Sequence, residues 1–401
     1  MNYKWQKKAN VFDTVLNYGP KREGAIGLYL NGKGYIGFGN PDPSVLTGIH
    51  KDDRIADLMQ YDPQKDEWKA LWIGENGGTA TSPCGRQYGF AFGLGEYIYV
   101  GGGFNIYTNL PSAWLTDFWR VNPNQELIVW ERLQDLPNDF VGRNLCTGFS
   151  VNYKNHKRGY AGLGAVATPG VAPGYTSLKD VWEYNSNPFP GNWKRLPDYP
   201  DTRDAAVGFC LDDTPYIGSG GNAFERPANT FYTFDGINWI AKANIPARLF
   251  NPIGFSLEGK GYIGMGSSAP TNLYEYDKGS NIWQTVQPVN TIPMRAAAVG
   301  FGLSGHIYVG TGDTGGSNPT YYNDFWELIT YEKKHHQNQD CEKLYQQIQL
   351  ERRELNTAIR NWENAGKVGP NPADGNLANV LKIHEEEFLA SGCLFYPEQR
   401  E

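Results

Sequence analysis

An all-β fold, a six-bladed β-propeller, is predicted by three observations on this 401-residue chain. The first is a repeat. Six times the sequence runs through an arginine, a short apolar stretch, a Tyr-Ile-Gly-like strand, a loop, an aromatic strand and a lone tryptophan, and a period of this length denotes one blade per repeat. The second is spacing, since Trp5, Trp68, Trp130 and Trp193 stand 63, 62 and 63 residues apart. The third is composition: 48 glycines, 25 prolines and 14% aromatic residues suit many short strands joined by tight turns, with rings filling the wedges between them.

Each blade reads as four strands. The innermost starts at the arginine, as in Arg203-Asp204-Ala205-Ala206-Val207-Gly208-Phe209 and Arg295-Ala296-Ala297-Ala298-Val299-Gly300-Phe301, where small residues suit strands crowding a narrow axis. Gly34 to Gly39 and Gly261 to Gly266 exemplify the second strand. Asp57 to Tyr61 and Asp324 to Leu328 exemplify the third, and Trp68, Trp130, Trp193, Trp239 and Trp283 mark the fourth. No fourth strand follows Asp324-Phe325-Trp326, so the segment around Trp5 is expected to supply it and close the ring by β-pairing.

Residues 1–330 are assigned to the propeller and 331–401 to a C-terminal helical extension. Residues 339–364 place Leu344, Ile348, Leu355, Ile359 and Trp362 on one helical face, with Gly366 as the C-cap. Asp374 is expected to cap a second helix carrying Leu377, Val380, Leu381, Phe388 and Leu389 inward, so the tail forms an α-helical hairpin. Its apolar stripe needs a partner, either the propeller or another chain in a homo-oligomer or complex.

A net charge of −7 opposes general affinity for nucleic acid or anionic membranes. Five cysteines without CxxC spacing read as thiols rather than a disulfide framework or zinc site. The first ten residues lack the apolar run of a leader and no stretch is long enough to span a bilayer, so the expected location is cytoplasmic. Gly310-Thr311-Gly312-Asp313-Thr314-Gly315 matches a dinucleotide fingerprint, but Gly316-Ser317-Asn318-Pro319 cannot open the helix such a site requires. No cofactor is expected.

The glycine-rich second strand, aromatic third strand and spaced tryptophans resemble those of kelch-repeat propellers over residues 1–330. Gly101-Gly102 and Gly220-Gly221 keep the glycine doublet of that family, whereas the other repeats read Gly-x-Gly, as in a divergent branch. The resemblance implies the architecture and leaves activity open, because the family spans peptide-binding adaptors, copper oxidases, sialate mutarotase-like enzymes and nitrile specifiers. The propeller holds only His50, His156 and His306 and no ExxxDxxxH cluster, which speaks against the copper and iron members.

The leading candidate site is the arginine set Arg22, Arg86, Arg143, Arg203, Arg248 and Arg295, one per blade at the start of the innermost strand. These guanidiniums are expected to encircle one channel mouth, two or three of them facing a ligand, the rest bonding loop carbonyls or acids. In a kelch adaptor that this chain resembles, arginines from this region grip acidic peptides. The loops over residues 40–55, 104–115 and 165–177 add His50, Lys51, Arg54, Tyr107, Trp114 and Tyr175. Asp57, Asp117, Asp180 and Asp324, at the start of third strands, are expected to bond turn amides. The resulting expectation is a binding or scaffold module for an acidic peptide or small carboxylate, with the tail mediating assembly. The alternatives are a mutarotase or epimerase acting on a sialate-like sugar acid, and a structural subunit of a larger assembly.

Overall fold

In a computed structural model, the chain divides into two compact units, residues 1–331 and 332–401. The structure describes residues 2–44, 54–75, 77–105, 113–153, 156–168, 174–222, 224–267, 271–331, 339–367 and 370–390.

The first unit is a ring of six four-stranded antiparallel sheets. Blade one comprises Ile26–Leu30, Lys33–Gly37, Asp57–Asp62 and Glu67–Ile73, and blades two to five repeat that order with innermost strands at Phe90–Leu94, Thr147–Tyr153, Val207–Leu211 and Ile253–Leu257. Blade six joins Val299–Leu303, His306–Gly310 and Phe325–Tyr331 to the N-terminal strand Asn2–Lys8, which pairs along its whole length with Phe325–Tyr331. Closure therefore occurs through the N-terminal strand. The interface it creates repeats an ordinary one: Trp68 donates its indole N–H to the Ala9 carbonyl at 3.1 Å, as Trp283 does to Ala243 at 2.8 Å.

Two sequence features are explained by packing. A Cβ added to Gly27 would stand 2.4 Å from the Cβ of Val299, and one on Gly208 would stand 2.2 Å from the Phe149 ring, so glycine is required where innermost strands approach the next blade. The tyrosine of the second strand is also paired. Tyr160 donates to Glu183 at 3.1 Å and Tyr262 to Glu275 at 2.9 Å, each lying opposite its partner across the ladder, so the buried phenol keeps a hydrogen bond.

In the second unit, helices α1 (Gln339–Asn364) and α2 (Asn376–Ala390) form the hairpin, with Gly366 at φ +75° after α1. Asp374 lies within a short 3₁₀ turn, Pro372–Asp374, capped by Asn371, and α2 begins at Asn376, one residue later than an Asp374 cap implied. Ile348 and Leu381 are buried, and buried Glu351 meets Nδ1 of His384 at 2.8 Å and Gln347 at 2.7 Å.

Candidate functional site

The arginines are placed differently from an exposed ring. Arg22, Arg86, Arg143 and Arg295 are fully buried, each directed into its own blade against the aspartate that begins the third strand. Arg22 meets Asp57 with two bonds of 2.6 Å, Arg86 meets Asp117 at 2.9 and 2.8 Å, and Arg295 meets Asp324 at 2.8 and 3.0 Å. Arg143 meets Asp180 through one bond of 2.6 Å, the other Asp180 oxygen accepts from the Trp182 indole, and Nη2 of Arg143 has no partner. In all four, Nε donates to the carbonyl two residues earlier and Nη1 to a carbonyl at the end of the second strand. The physical reason is desolvation: a buried guanidinium must satisfy its donors internally, and a bidentate carboxylate does so with matched geometry. These four act as clasps between the first and third strands. The aspartates thus bond chiefly arginine, with Asp57 also accepting from the Phe38 amide at 3.0 Å.

Blades four and five depart from this scheme. In blade four Thr230 stands where the four clasped blades have aspartate, and Arg203, 1% exposed, turns instead to Asp201 at 2.6 Å, Glu225 at 3.4 Å and the Thr230 hydroxyl at 3.2 Å. Blade five has lost both partners. The recurring bond to a second-strand glycine, from Gly103 to the Arg143 carbonyl for example, is there made by the Leu249 carbonyl, so Leu249 holds the arginine position and Asn272 the aspartate position. Arg248 is therefore one residue out of register. It is 57% exposed and bonds Glu225 and the Pro227 carbonyl.

The mouth itself is formed by the residue two beyond each arginine position. Gly24, Tyr88, Leu145, Ala205, Asn251 and Ala297 all adopt φ between 49° and 57°, and backbone bonds such as Ala205 to Leu145 and Ala297 to Asn251 link neighbours among them. Five non-glycine residues in this left-handed region mark a tightly determined rim. The cavity beneath the rim is about 110 Å³. The wider end of the channel, about 610 Å³, opens on the opposite face, where Asp212 and Glu258 are the charged lining residues. An anionic ligand is thereby directed away from it.

Around the rim the charge is uneven. Glu23 accepts from the Tyr88 hydroxyl at 2.7 Å and from Asn40 at 2.9 Å, next to buried Asp313 and Tyr321. Burial, aided by the Glu23 charge, pushes the Asp313 carboxyl up to about 6. A carboxyl raised above its unfolded value takes up its proton more readily when folded, so its stability contribution is largest below about pH 4 and falls as pH rises through 6. Asp313→Asn is accordingly expected to raise stability at pH 7 by roughly 2–3 kcal/mol and to flatten the pH 4–6 slope in thermal melts. An unchanged slope would show that Asp313 remains well hydrated.

On the side of blades three to five, Arg226 lies over the Phe250 ring at 3.8 Å and beside the Tyr175 ring at 5.2 Å. It donates to the Tyr175 hydroxyl and, at 2.9 Å, to buried Asp204, which also accepts from Ser177 at 2.6 Å. Its side chain is 34% exposed, and Phe224, two residues before it, is 99% exposed. Among the residues expected from sequence, Tyr175 thus belongs to this cluster. Trp114 packs on Phe104 at 5.0 Å, while His50, Lys51 and Tyr107 lie outside the described residues. Arg226 and Phe250 were missed because neither occupies the repeated arginine position; the signal available was an arginine in a loop between aromatic residues.

The fold and this face define a six-bladed β-propeller that carries a cluster of charged and aromatic side chains in loops at one end of the ring. No protein-family model matches the chain, and no curated protein matches it in sequence. No helix among the described residues is long and apolar enough to cross a membrane, and no cluster of metal-ligating side chains occurs among them.

Proposed function

We propose that the chain is a kelch-type binding module that captures an acidic peptide or small carboxylate on the loop face over blades three to five. The observation that carries this reading is Arg226, a guanidinium about one-third exposed, stacked on Phe250 and flanked by Tyr175, with Arg248 and Phe224 in or next to the same loop region. Aromatic-stacked arginine beside an exposed ring is the composition that dominates binding energy at peptide interfaces. The ligand is a segment with a carboxylate next to an apolar residue, the site is cytoplasmic, and the helical hairpin serves assembly. Replacing Arg226 and Arg248 together by alanine is expected to reduce the affinity of a glutamate-rich peptide by ~2–4 kcal/mol, with binding weakening as salt rises. Calorimetry on wild type and double variant tests this; equal affinity in both would overturn it.

A second reading, a mutarotase or epimerase of sugar acids, draws on Asp204. Burial raises its carboxyl despite the Ser177 bond and the Arg226 charge, giving an acid next to a carboxylate-binding guanidinium. Anomer exchange of a sialate-like sugar, followed by NMR, separates the two readings.

A further inference from the structure

We infer that the fourth blade holds an arginine clasp left open for a ligand carboxylate, with Glu225 of the neighbouring loop acting as a displaceable internal stand-in. The inference deepens the acidic-peptide reading and rests on it.

The argument begins with the missing acid. Four clasps keep their aspartate, and blade five has dropped arginine and aspartate together, which leaves no charge to neutralise. Blade four alone retains the buried arginine while replacing its aspartate by Thr230. An unmatched buried guanidinium is strongly unfavourable, so it recruits surface acids. Asp201 holds Nη1 at 2.6 Å, and Thr202 adds its carbonyl at 2.9 Å. Nη2 donates only to Thr230 at 3.2 Å and Glu225 at 3.4 Å, against 2.6 to 3.0 Å for the Nη2 bonds to carboxylate in the doubly bonded clasps.

Nε makes the difference chemical. In the four clasps it donates to a carbonyl, whereas Arg203 Nε is buried without a partner. Nε and Nη2 form the side edge of a guanidinium, a second edge, besides the Nη1/Nη2 end used in the clasps, that can take a carboxylate through two parallel bonds. That edge of Arg203 is thus underused, covered by a 34%-exposed glutamate whose other oxygen serves Arg248. An acidic side chain of a bound peptide, entering between Arg203 and Arg248, replaces Glu225 and completes the edge.

The test uses the full chain and a fluorescein-labelled octapeptide rich in glutamate, with binding read by anisotropy. Glu225→Gln removes the internal competitor while keeping side-chain shape, and is expected to tighten binding about tenfold. Thr230→Asp rebuilds the ordinary clasp; it is expected to raise the melting temperature and to abolish the gain given by Glu225→Gln. Unchanged or weaker binding by Glu225→Gln, with dependence on Arg226 retained, overturns the open clasp and leaves the acidic-peptide reading standing. Binding by neither wild type nor Glu225→Gln overturns both. Persistence of the Glu225→Gln gain in the Thr230→Asp background also rejects Arg203 as the carboxylate's partner.

Discussion

Deletion of residues 1–10 is expected to lower the melting temperature by more than about 10 °C, or to abolish cooperative unfolding altogether. The strand Asn2–Lys8 contributes seven residue pairs to blade six, and Trp5 is buried in a cluster with Ile253, Val286, Ile307 and Leu328. Asn290 fastens its backbone on both sides, accepting from the Trp5 amide at 2.7 Å and donating to its carbonyl at 2.8 Å. Burying one tryptophan of this kind contributes roughly 3–5 kcal/mol, before the lost ladder is counted. The deletion would also expose the Phe325–Tyr331 edge and strip Trp68 of its Ala9 acceptor. Lys8 is removed from Glu327 as well, where burial raises the carboxyl but bonds from His306 and Tyr308 and the Lys8 charge hold it low. Calorimetry on the truncated chain decides the matter; a melt like that of the full chain would mean that the ring is held without its fourth strand.

The second large effect is expected from Asp117→Ala, which should destabilise the propeller by about 3–5 kcal/mol, since Arg86 would be left charged, buried and unpaired. Burial alone would raise the Asp117 carboxyl, yet Arg86 and the Trp119 indole outweigh it and hold it low. A lowered carboxyl contributes stability at neutral pH that is lost as pH falls below the usual carboxylate range, so wild type should show an acid-sensitive increment that Asp117→Ala lacks. Blade five supplies the control. Copying its pair, Arg86→Leu with Asp117→Asn, removes both charges and is expected to recover most of the loss, because Leu249 and Asn272 occupy those positions in the native ring. Chemical denaturation of the single and double variants measures this coupling, and additive losses would show that the pair does not act as a unit.

Much of the architecture was legible because repetition makes local signals agree. Small residues and glycine at the axis, Tyr-Ile-Gly in the second strand and tryptophan in the fourth each recur at the same place in successive blades. The closing strand was readable from the lack of a fourth strand after Trp326 and from the interval between Trp5 and Trp68, which matches those to Trp130 and Trp193. The repeat was also misleading in one blade. Arg248 looks like its fellows in sequence, but the backbone bond from Gly220 to Leu249 sets the register one residue later. A shift of one residue is invisible in a pattern of apolar and polar letters, yet it exchanges a buried clasp for an exposed cation.

The chain's own sequence determined the blade number, the mode of closure and the helical hairpin, because periodic apolar residues dictate which surfaces must be buried. Only the tertiary structure decided what the conspicuous arginines do. Their direction depends on an aspartate 29 to 37 residues away in four clasps, and on its replacement by Thr230 in the fourth blade. A guanidinium whose acid is present is consumed by the fold, and one whose acid is missing is left to find another, a distinction set by three-dimensional partners rather than by the arginine itself.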